Sequence, residues 1–235
     1  AQHIVFICDF SARIIGVVLD GTFCDGDLRR QYGWGRIPAD LQAVDVTNAV
    51  TTAAAVQACR LYGRALRTSE AVGNFRSYGL PEVSPDASAS TNTVALWRID
   101  NAPEGTLNTR CLADPQNNLS NSGGATNEQF AATVPNPDRT PDLLDSAATN
   151  AGSARMSNRQ LFSSTFGQRV DLTNSFTVEG WYRISGLPAA QPDFDYLVGP
   201  RGSETGGWML DYRLWDGRLR YNLYVRNGVG GGTVL

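Results

Sequence analysis

The residues best suited to acid–base chemistry in this 235-residue chain are one histidine and a few scattered carboxylates. His3 is the only histidine, so a serine-type catalytic triad would have to use it as the base. Retaining glycoside hydrolysis needs two carboxylates about 5 Å apart, which on one strand face means acids at i and i+2 or i+4. Glu179 has no such partner, and Asp193 and Asp195 fall in a loop flanked by Pro and Gly. We therefore predict structural roles for His3 and Glu179, and no catalytic residue.

Asp20, Asp25 and Asp27 cluster around two predicted turns. Calcium takes about six to eight oxygen ligands, and these positions lack the ordered ligand spacing of an EF-hand. Turn chemistry alone explains the Asp-Gly pairs. We expect no cofactor, with Ca²⁺ as the weaker alternative.

The four cysteines, Cys8, Cys24, Cys59 and Cys111, are even in number and have no C-x-x-C spacing. Zinc is therefore disfavoured, and two disulfides in any of three pairings would fit an oxidising compartment. The alternative is that they are buried free thiols, because Cys8 and Cys59 lie on strand-like patterns.

Several side chains on predicted strands have the chemistry to bind a carbohydrate. The aromatic ones, which would stack on sugar faces, are Trp34, Trp181, Trp215 and Tyr224. Arg220 and Asn222 would hydrogen-bond to sugar hydroxyls. The alternative, that the rings fill the core, is favoured because periodicity separates two faces without showing which is wet.

Composition narrows the partners further. The chain is 42% hydrophobic, 9% aromatic and 18% charged, which is enough apolar material for a sizeable core. A net charge of -3 gives no basic field for nucleic acid or an anionic membrane, and no run of 18 apolar residues could insert into a bilayer. All 20 basic residues are Arg, which excludes Schiff-base and P-loop lysine chemistry.

An extracellular location is expected. The chain starts at Ala1 without Met, which suits a processed secreted protein or a fragment. Asn118-Leu-Ser is an N-glycosylation sequon, so Asn118 is the candidate glycan carrier.

Most of the segments that carry these residues are predicted to be β-strands. Residues 3–9 and 13–19 are apolar on both faces, which predicts central strands of a sheet covered on both sides. "CRLYG" at 59–63 predicts a strand, and Thr68 or Ser69 begins a helical turn that should stop at Gly73.

The second part of the chain is also β-rich. Residues 79–93 read as an extended linker, and residues 101–159 as a polar insertion of short strands and long loops. "SFTVEGWYRIS" alternates between two faces, and Asp216-Gly217 predicts a hairpin. No long helix is predicted, so the fold class is all-β.

These stretches resemble a known family. "VALWRID", "FTVEGWYRI" and "GWMLDYRLWDGRLRYNLYV" look like the opening, middle and hairpin strands of laminin-G-like jelly rolls, in the concanavalin A-like lectin/glucanase group. "QHIVFICDFSARIIGVVLDG" resembles that fold's later hairpin, and "CRLYGRALRTSEA" its closing strand and helical turn. The resemblance implies an antiparallel jelly-roll sandwich, and in it both His3 and Glu179 match common strand patterns.

The order of the segments is rotated relative to the family. Residues 1–78 resemble the C-terminal half of the jelly roll and residues 94–235 the N-terminal half. Half a sandwich leaves open edges and an uncovered apolar face, so each half needs a complement. The halves could close within one chain as a circular permutant, be completed by a neighbouring chain, or belong to a tandem array. We expect completion between chains, favoured by the Pro-bearing linker.

The expected function follows from that arrangement. It is a non-catalytic extracellular structural or adhesive subunit that binds copies of itself head to tail. The joint would be formed by both termini, through His3, Val5, Ile7, Thr233, Val234 and Leu235. The alternatives are a monomeric, permuted carbohydrate-binding domain and, third, a glycoside hydrolase.

Overall fold

The structure is a computed structural model, and it describes part of the chain. The described residues are 2–24, 34–37, 48–51, 55–77, 92–98, 111, 113–115, 118–121, 126–128, 153–155, 161–164, 174–183, 194–198, 207–215, 218–226 and 232–233. Within them the fold is all-β, with every strand pair antiparallel and one helix. No described helix is both long enough and apolar enough to span a bilayer.

A nine-stranded main sheet is built around three long strands. Its strands are β1 (Gln2–Asp9), β2 (Ile14–Leu19), β3 (Thr22–Phe23), β4 (Trp34–Arg36), β6 (Ala55–Tyr62), β7 (Thr93–Arg98), β9 (Thr126–Glu128), β10 (Ser153–Arg155) and β12 (Phe176–Arg183). The order is β3-β2-β1-β12-β6-β10-β9, with β4 on β2 and β7 on β6. β1 is therefore a central strand, as predicted.

Two smaller sheets complete the described β structure. The second sheet has the order β13 (Phe194–Val198), β14 (Gly207–Trp215), β15 (Arg218–Arg226) and β16 (Gly232–Thr233). The third has the order β5 (Asn48–Thr51), β11 (Leu161–Ser164) and β8 (Ser120–Asn121). The predicted hairpin is confirmed, because β14 pairs with β15 from Trp215 opposite Arg218 to Gly207 opposite Arg226.

The turns that join the first strands have clear local causes. The Asp9 carboxylate accepts hydrogen bonds from the backbone N–H groups of Ser11 and Ala12, which closes the β1–β2 turn. Asp20 and Gly21 have φ values of 48° and 76°, the left-handed conformations that a tight hairpin turn requires. A Cβ on Gly21 would meet the Phe75 ring, so this turn also packs against the helix.

The two predicted halves interleave in the main sheet. β12 lies between β1 and β6, pairing with Gln2 to Cys8 on one side and with Ala55 to Tyr62 on the other. β7 pairs with the far edge of β6. Strands from residues 2–62 and from residues 93–183 therefore alternate as β1, β12, β6 and β7 in one chain, and neither part forms this sheet alone.

Both faces of the main sheet are covered. One face joins the second sheet in a single core, in which Phe6, Val178 and Leu61 share a cluster with Leu210 and Leu223. The other face carries helix α1 (Thr68–Ser77), and there Val5, Ile7 and Tyr62 pack with Ala71. The long strands are thus buried on both sides, which is why both of their faces are apolar.

Two local predictions were wrong. Helix α1 does not stop at Gly73 but continues to Ser77. An interior glycine costs only about 1 kcal/mol relative to alanine, and the burial of Ala71 and Phe75 against the sheet offsets that cost. Residues 193–195 were predicted to lie in a loop, yet Phe194 and Asp195 belong to β13. Phe194, Tyr196 and Val198 of this strand are strong strand formers.

Candidate functional site

The most concentrated polar chemistry in the described residues lies under helix α1. We call it the Glu179 cluster, formed by His3, Arg60, Tyr62, Asn74 and Glu179. Register explains why these residues meet: Glu179 is opposite Val5 on β1 and opposite Arg60 on β6. Residues two positions away on the same face, His3 and Tyr62, are its diagonal neighbours.

Glu179 is the centre of the hydrogen bonding. Its Oε1 lies 2.8 Å from His3 Nε2, and its Oε2 accepts from Tyr62 OH and from Asn74 Nδ2, both at 2.9 Å. Arg60 donates to Tyr62 OH at 2.6 Å, and the same nitrogen lies 4.0 Å from Glu179 Oε2. The carboxylate is therefore held by groups from three other elements, β1, β6 and α1.

The electrostatics follow from this enclosure. Burial alone would raise the pKa of Glu179, but the hydrogen bond from His3 and the attraction of His3 and Arg60 hold the pKa below its ordinary value. The pKa of Tyr62 is raised, first by burial and then by the nearby Glu179 charge. Glu179 is thus an ionised carboxylate whose negative charge is balanced inside the fold.

Aromatic rings close the site. His3 is fully buried, with its ring 5.0 Å from that of Trp181 and 5.5 Å from that of Phe75. Phe75 and Trp181 stack on each other at 5.6 Å. Two atoms of the cluster, His3 Nδ1 and Arg60 Nε, are buried without a hydrogen-bond partner. The rings cover the His3 side of the cluster, whereas Arg60 and Asn74 are half-buried.

Every outward side chain of β12 from Thr177 to Trp181 contacts helix α1 or the segment before it. The Thr177 hydroxyl accepts from Leu66 N and donates to Arg64 O, both at 2.9 Å. Glu179 binds Asn74, and Trp181 stacks on Phe75. The Thr-x-Glu-x-Trp pattern of β12 therefore fixes the position of the helix.

The helix start is fixed independently of β12. Glu70 accepts from the backbone N–H of Arg67 at 2.7 Å and pairs with both terminal nitrogens of Arg64 at 2.7 and 2.9 Å. The Arg64 hydrogen bonds, followed by that from Arg67, lower the pKa of Glu70 to about 2.

The predicted sugar-binding residues are not assembled into one exposed site. Trp181 is only 5% exposed under Phe75, and Asn222 is buried with its amide donating to Asp211 Oδ1 at 2.6 Å. Neither can face a sugar, so these two predictions are corrected. Arg220 is half-buried on β15. Trp34, Trp215 and Tyr224 lie on β4, β14 and β15, and only their backbone is described.

The predicted disulfides are not formed. All four cysteines are described, and no two are joined: Cys8, Cys59 and Cys111 are buried thiols, and Cys24 is a half-buried thiol. Cys59 and Cys111 flank Trp97 on either side, which separates them by two strand spacings, about 9 to 10 Å. A disulfide needs Cα atoms within about 7 Å. The alternative interpretation, buried thiols acting as small apolar side chains, describes three of the four.

The buried thiols make contacts typical of packed side chains. Burial raises the pKa of Cys59 to about 12, and its sulfur contacts Tyr182 OH at 3.6 Å. Burial also raises the pKa of Cys8. Cys111 accepts long hydrogen bonds from Leu96 N and Asp114 N. These contacts fit packing rather than nucleophilic chemistry.

The residues predicted for the assembly joint lie on two different strands, β1 and β16. His3, Val5 and Ile7 are buried on β1 beneath helix α1. Thr233 is on β16, paired with Val225, and positions 234 and 235 lie outside the described residues.

The remaining predicted positions are the glycosylation site and the aspartates that were considered as calcium ligands or catalytic acids. Asn118 is exposed, and its side-chain oxygen accepts from Cys111 N at 2.8 Å. Asp20 Oδ1 accepts from His3 N at 2.7 Å, whereas Asp25, Asp27 and Asp193 lie outside the described residues. Within the described part, no three His, Cys, Asp or Glu side chains are grouped to hold a metal.

Comparison with known proteins gave no match, whether to family models, to curated proteins or to solved structures. The function must therefore be inferred from the chemistry of the Glu179 cluster. The sequence contained one signal for this cluster: Glu179 and His3 each interrupt a strand that is otherwise suited to burial. Two buried polar groups in such strands are stable only when they pair.

Proposed function

We propose that this chain is a non-catalytic extracellular structural or adhesive module with a laminin-G-like jelly roll, and that copies of the chain are its partners. The observation that carries the proposal is the state of Glu179. This acid has the family-like strand position, yet it is 6% exposed and both of its oxygens are engaged by His3, Tyr62 and Asn74. A general acid must reach a substrate oxygen, and a sealed carboxylate cannot.

The direct contacts of Glu179 offer no second carboxylate for hydrolysis. Among the described residues, the side chains that contact it are His3, Tyr62 and Asn74, with Arg60 4.0 Å away. Retaining and inverting glycosidases both require two. The cluster is best explained as a stabilising network that joins β1, β6, β12 and helix α1.

The extracellular location in this proposal is supported by an exposed glycosylation sequon. Asn118 of the glycosylation sequon is exposed, so an attached glycan would meet solvent. The linker and the polar 101–159 stretch would be further glycan carriers.

Hydrolysis assays test the proposal directly. The purified chain and its Glu179→Gln variant are incubated with a panel of β-glucans, chitin and host-type glycans, and the released reducing ends are measured. We expect no release above a buffer blank for either protein. Release by the original chain that is lost in Glu179→Gln would overturn the non-catalytic assignment.

A further inference from the structure

Helix α1 is attached to the main sheet by few apolar side chains. Among the helix residues whose side chains are described, only Ala71 and Phe75 are buried. Ala71 lies in a cluster with Val5 and Ile7 of β1, and Phe75 stacks on Trp181 of β12. A segment that buries few apolar side chains opens at a lower free energy than the strands it covers. The polar contacts of the helix therefore contribute a large share of its attachment.

Carboxylates hold the helix at both of its ends. At the start, Glu70 accepts from the backbone N–H of Arg67 at 2.7 Å and pairs with both terminal nitrogens of Arg64. In the last turn, Asn74 donates to Oε2 of Glu179 at 2.9 Å. An ionised carboxylate is a stronger hydrogen-bond acceptor than its protonated form, so acid weakens both attachments.

The titratable and charged groups that face these two carboxylates come from β1, β6 and the segment before the helix. They are His3, Arg60 and Tyr62 around Glu179, and Arg64 and Arg67 around Glu70. All of them except Tyr62 are basic, so none replaces a negative charge that is lost. Protonation of the carboxylates therefore leaves basic groups beneath and before the helix without their counter-charge.

We infer that helix α1 is an acid-released cover of the main sheet, so that loss of the two carboxylate charges frees residues 64–77 while β1, β12 and β6 remain paired. The strands keep their backbone hydrogen bonds, because β12 is paired along its length with β1 on one side and β6 on the other. Release uncovers an apolar and aromatic face that carries Val5, Ile7 and Trp181. This device is separate from self-association and from the absence of catalysis.

The direction of the effect follows from the two states of Glu70. The Arg64 and Arg67 hydrogen bonds lower its pKa to about 2 in the attached helix, whereas the ordinary value of 4.5 returns on release. Protons therefore bind the released state more strongly, and attachment is complete above about pH 4.5 and weakens as the pH falls toward 2. The lowered pKa of Glu179 acts in the same direction.

The size of the effect is set by the same linkage. For Glu70 alone, the two pKa values give about tenfold more opening at pH 3.5 than at pH 6.5. The Arg64 and Glu70 side chains are 33% and 37% exposed, so solvent screening reduces this to about threefold.

Hydrogen exchange of the full chain, followed by mass spectrometry of its peptides, measures this opening. Protection factors are obtained at pH 6.5 and pH 3.5, each corrected for the intrinsic exchange rate at that pH. We expect the factor for residues 64–77 to fall about three- to tenfold at pH 3.5. The factors for residues 3–8 and 176–182, in the paired strands, should change by less than about twofold.

Two variants identify the groups responsible. Glu70→Gln removes one titratable attachment, so residues 64–77 should exchange faster at pH 6.5 and respond less to acid. Asp9→Asn is the matched control, because Asp9 also has a lowered pKa but closes the β1–β2 turn, and it should leave the acid response of residues 64–77 unchanged. An equal loss of protection in all three segments, no loss in residues 64–77, or a full acid response in Glu70→Gln would overturn the inference.

Discussion

His3 Nε2 lies 2.8 Å from Glu179 Oε1, and the two residues are 176 positions apart in the chain. This contact joins β1 to β12, the strand that lies between β1 and β6. The rings of Trp181 and Phe75 lie beside His3, so the contact is enclosed between the main sheet and helix α1.

Removal of the central carboxylate should be costly. Glu179→Ala removes the acceptor of the buried His3 and Tyr62 side chains, and breaking a buried charged pair costs about 3 to 5 kcal/mol. We expect the free energy of unfolding, measured by urea denaturation, to fall by that amount. The control is Glu70→Gln, whose partner Arg64 is a third exposed, and it should cost less than about 1 kcal/mol. Equal costs for both variants would contradict the account.

Gly180 and Gly73 form a matched pair of glycine-to-alanine tests. A Cβ on Gly180 would collide with the ring of Tyr182, which is buried and whose hydroxyl donates a hydrogen bond to the sulfur of Cys59. Overpacking of this kind costs about 1 to 3 kcal/mol. Gly73→Ala, in a helix with open space, should instead stabilise the chain by about 0.5 to 1 kcal/mol. Thermal unfolding of the two variants should therefore shift in opposite directions, and a shared direction would contradict the packing.

The Thr177 hydroxyl should hold the segment that leads into helix α1. Thr177→Val keeps the shape of the side chain but removes the bonds to Leu66 N and Arg64 O, at a cost of about 1 to 3 kcal/mol. Hydrogen exchange followed by mass spectrometry should show faster exchange across residues 64–77. Thr22→Val, on an exposed edge strand, is the control and should leave that region unchanged. Unchanged exchange in Thr177→Val would argue against the bridge.

Acid should weaken the fold through its carboxylates. The folded-state pKa of Glu70 is about 2 and that of Glu179 is also lowered, while an unfolded Glu titrates near 4.5. Their stabilisation is therefore complete above about pH 4.5 and is lost as the pH falls toward the folded values. Urea midpoints measured from pH 6 to pH 2 should decline below about pH 4.5, less steeply in Glu70→Gln. A flat profile would contradict the lowered pKa values.

Thiol labelling should separate the cysteines by burial. Cys8, Cys59 and Cys111 are buried, and Cys24 is half-buried. Brief alkylation of the native chain, read by intact mass, should modify no residue other than Cys24. In denaturant, without reductant, all four should react. A denatured chain that needs reductant before labelling would reveal a disulfide and contradict the structure.

Much of the main sheet was predictable because its strands follow simple alternation. Phe176 and Val178 point into the main core and Thr177, Glu179 and Trp181 to the opposite face, as the pattern of β12 predicts. Asp20-Gly21 likewise forms the predicted turn, since few other residue pairs adopt two left-handed conformations.

The candidate site was harder to predict, for two physical reasons. Periodicity placed Trp181 on a face but could not reveal that helix α1 covers it, because the helix was predicted to end at Gly73, before Phe75. The pairing of His3 with Glu179 depends on strand order, which local pattern does not encode. Strand order also determines whether the two halves pair within one chain. In the structure they do, because β12 lies between β1 and β6.

The most direct test of the account is the surroundings of Val178 in the monomeric fraction of an isotope-labelled sample. Phe6 and Leu61 are its cross-strand partners on opposite sides. Long-range backbone nuclear Overhauser effects from Val178 to both residues are the predicted result. Effects to neither residue, or to only one of them, would contradict the insertion of β12 between β1 and β6.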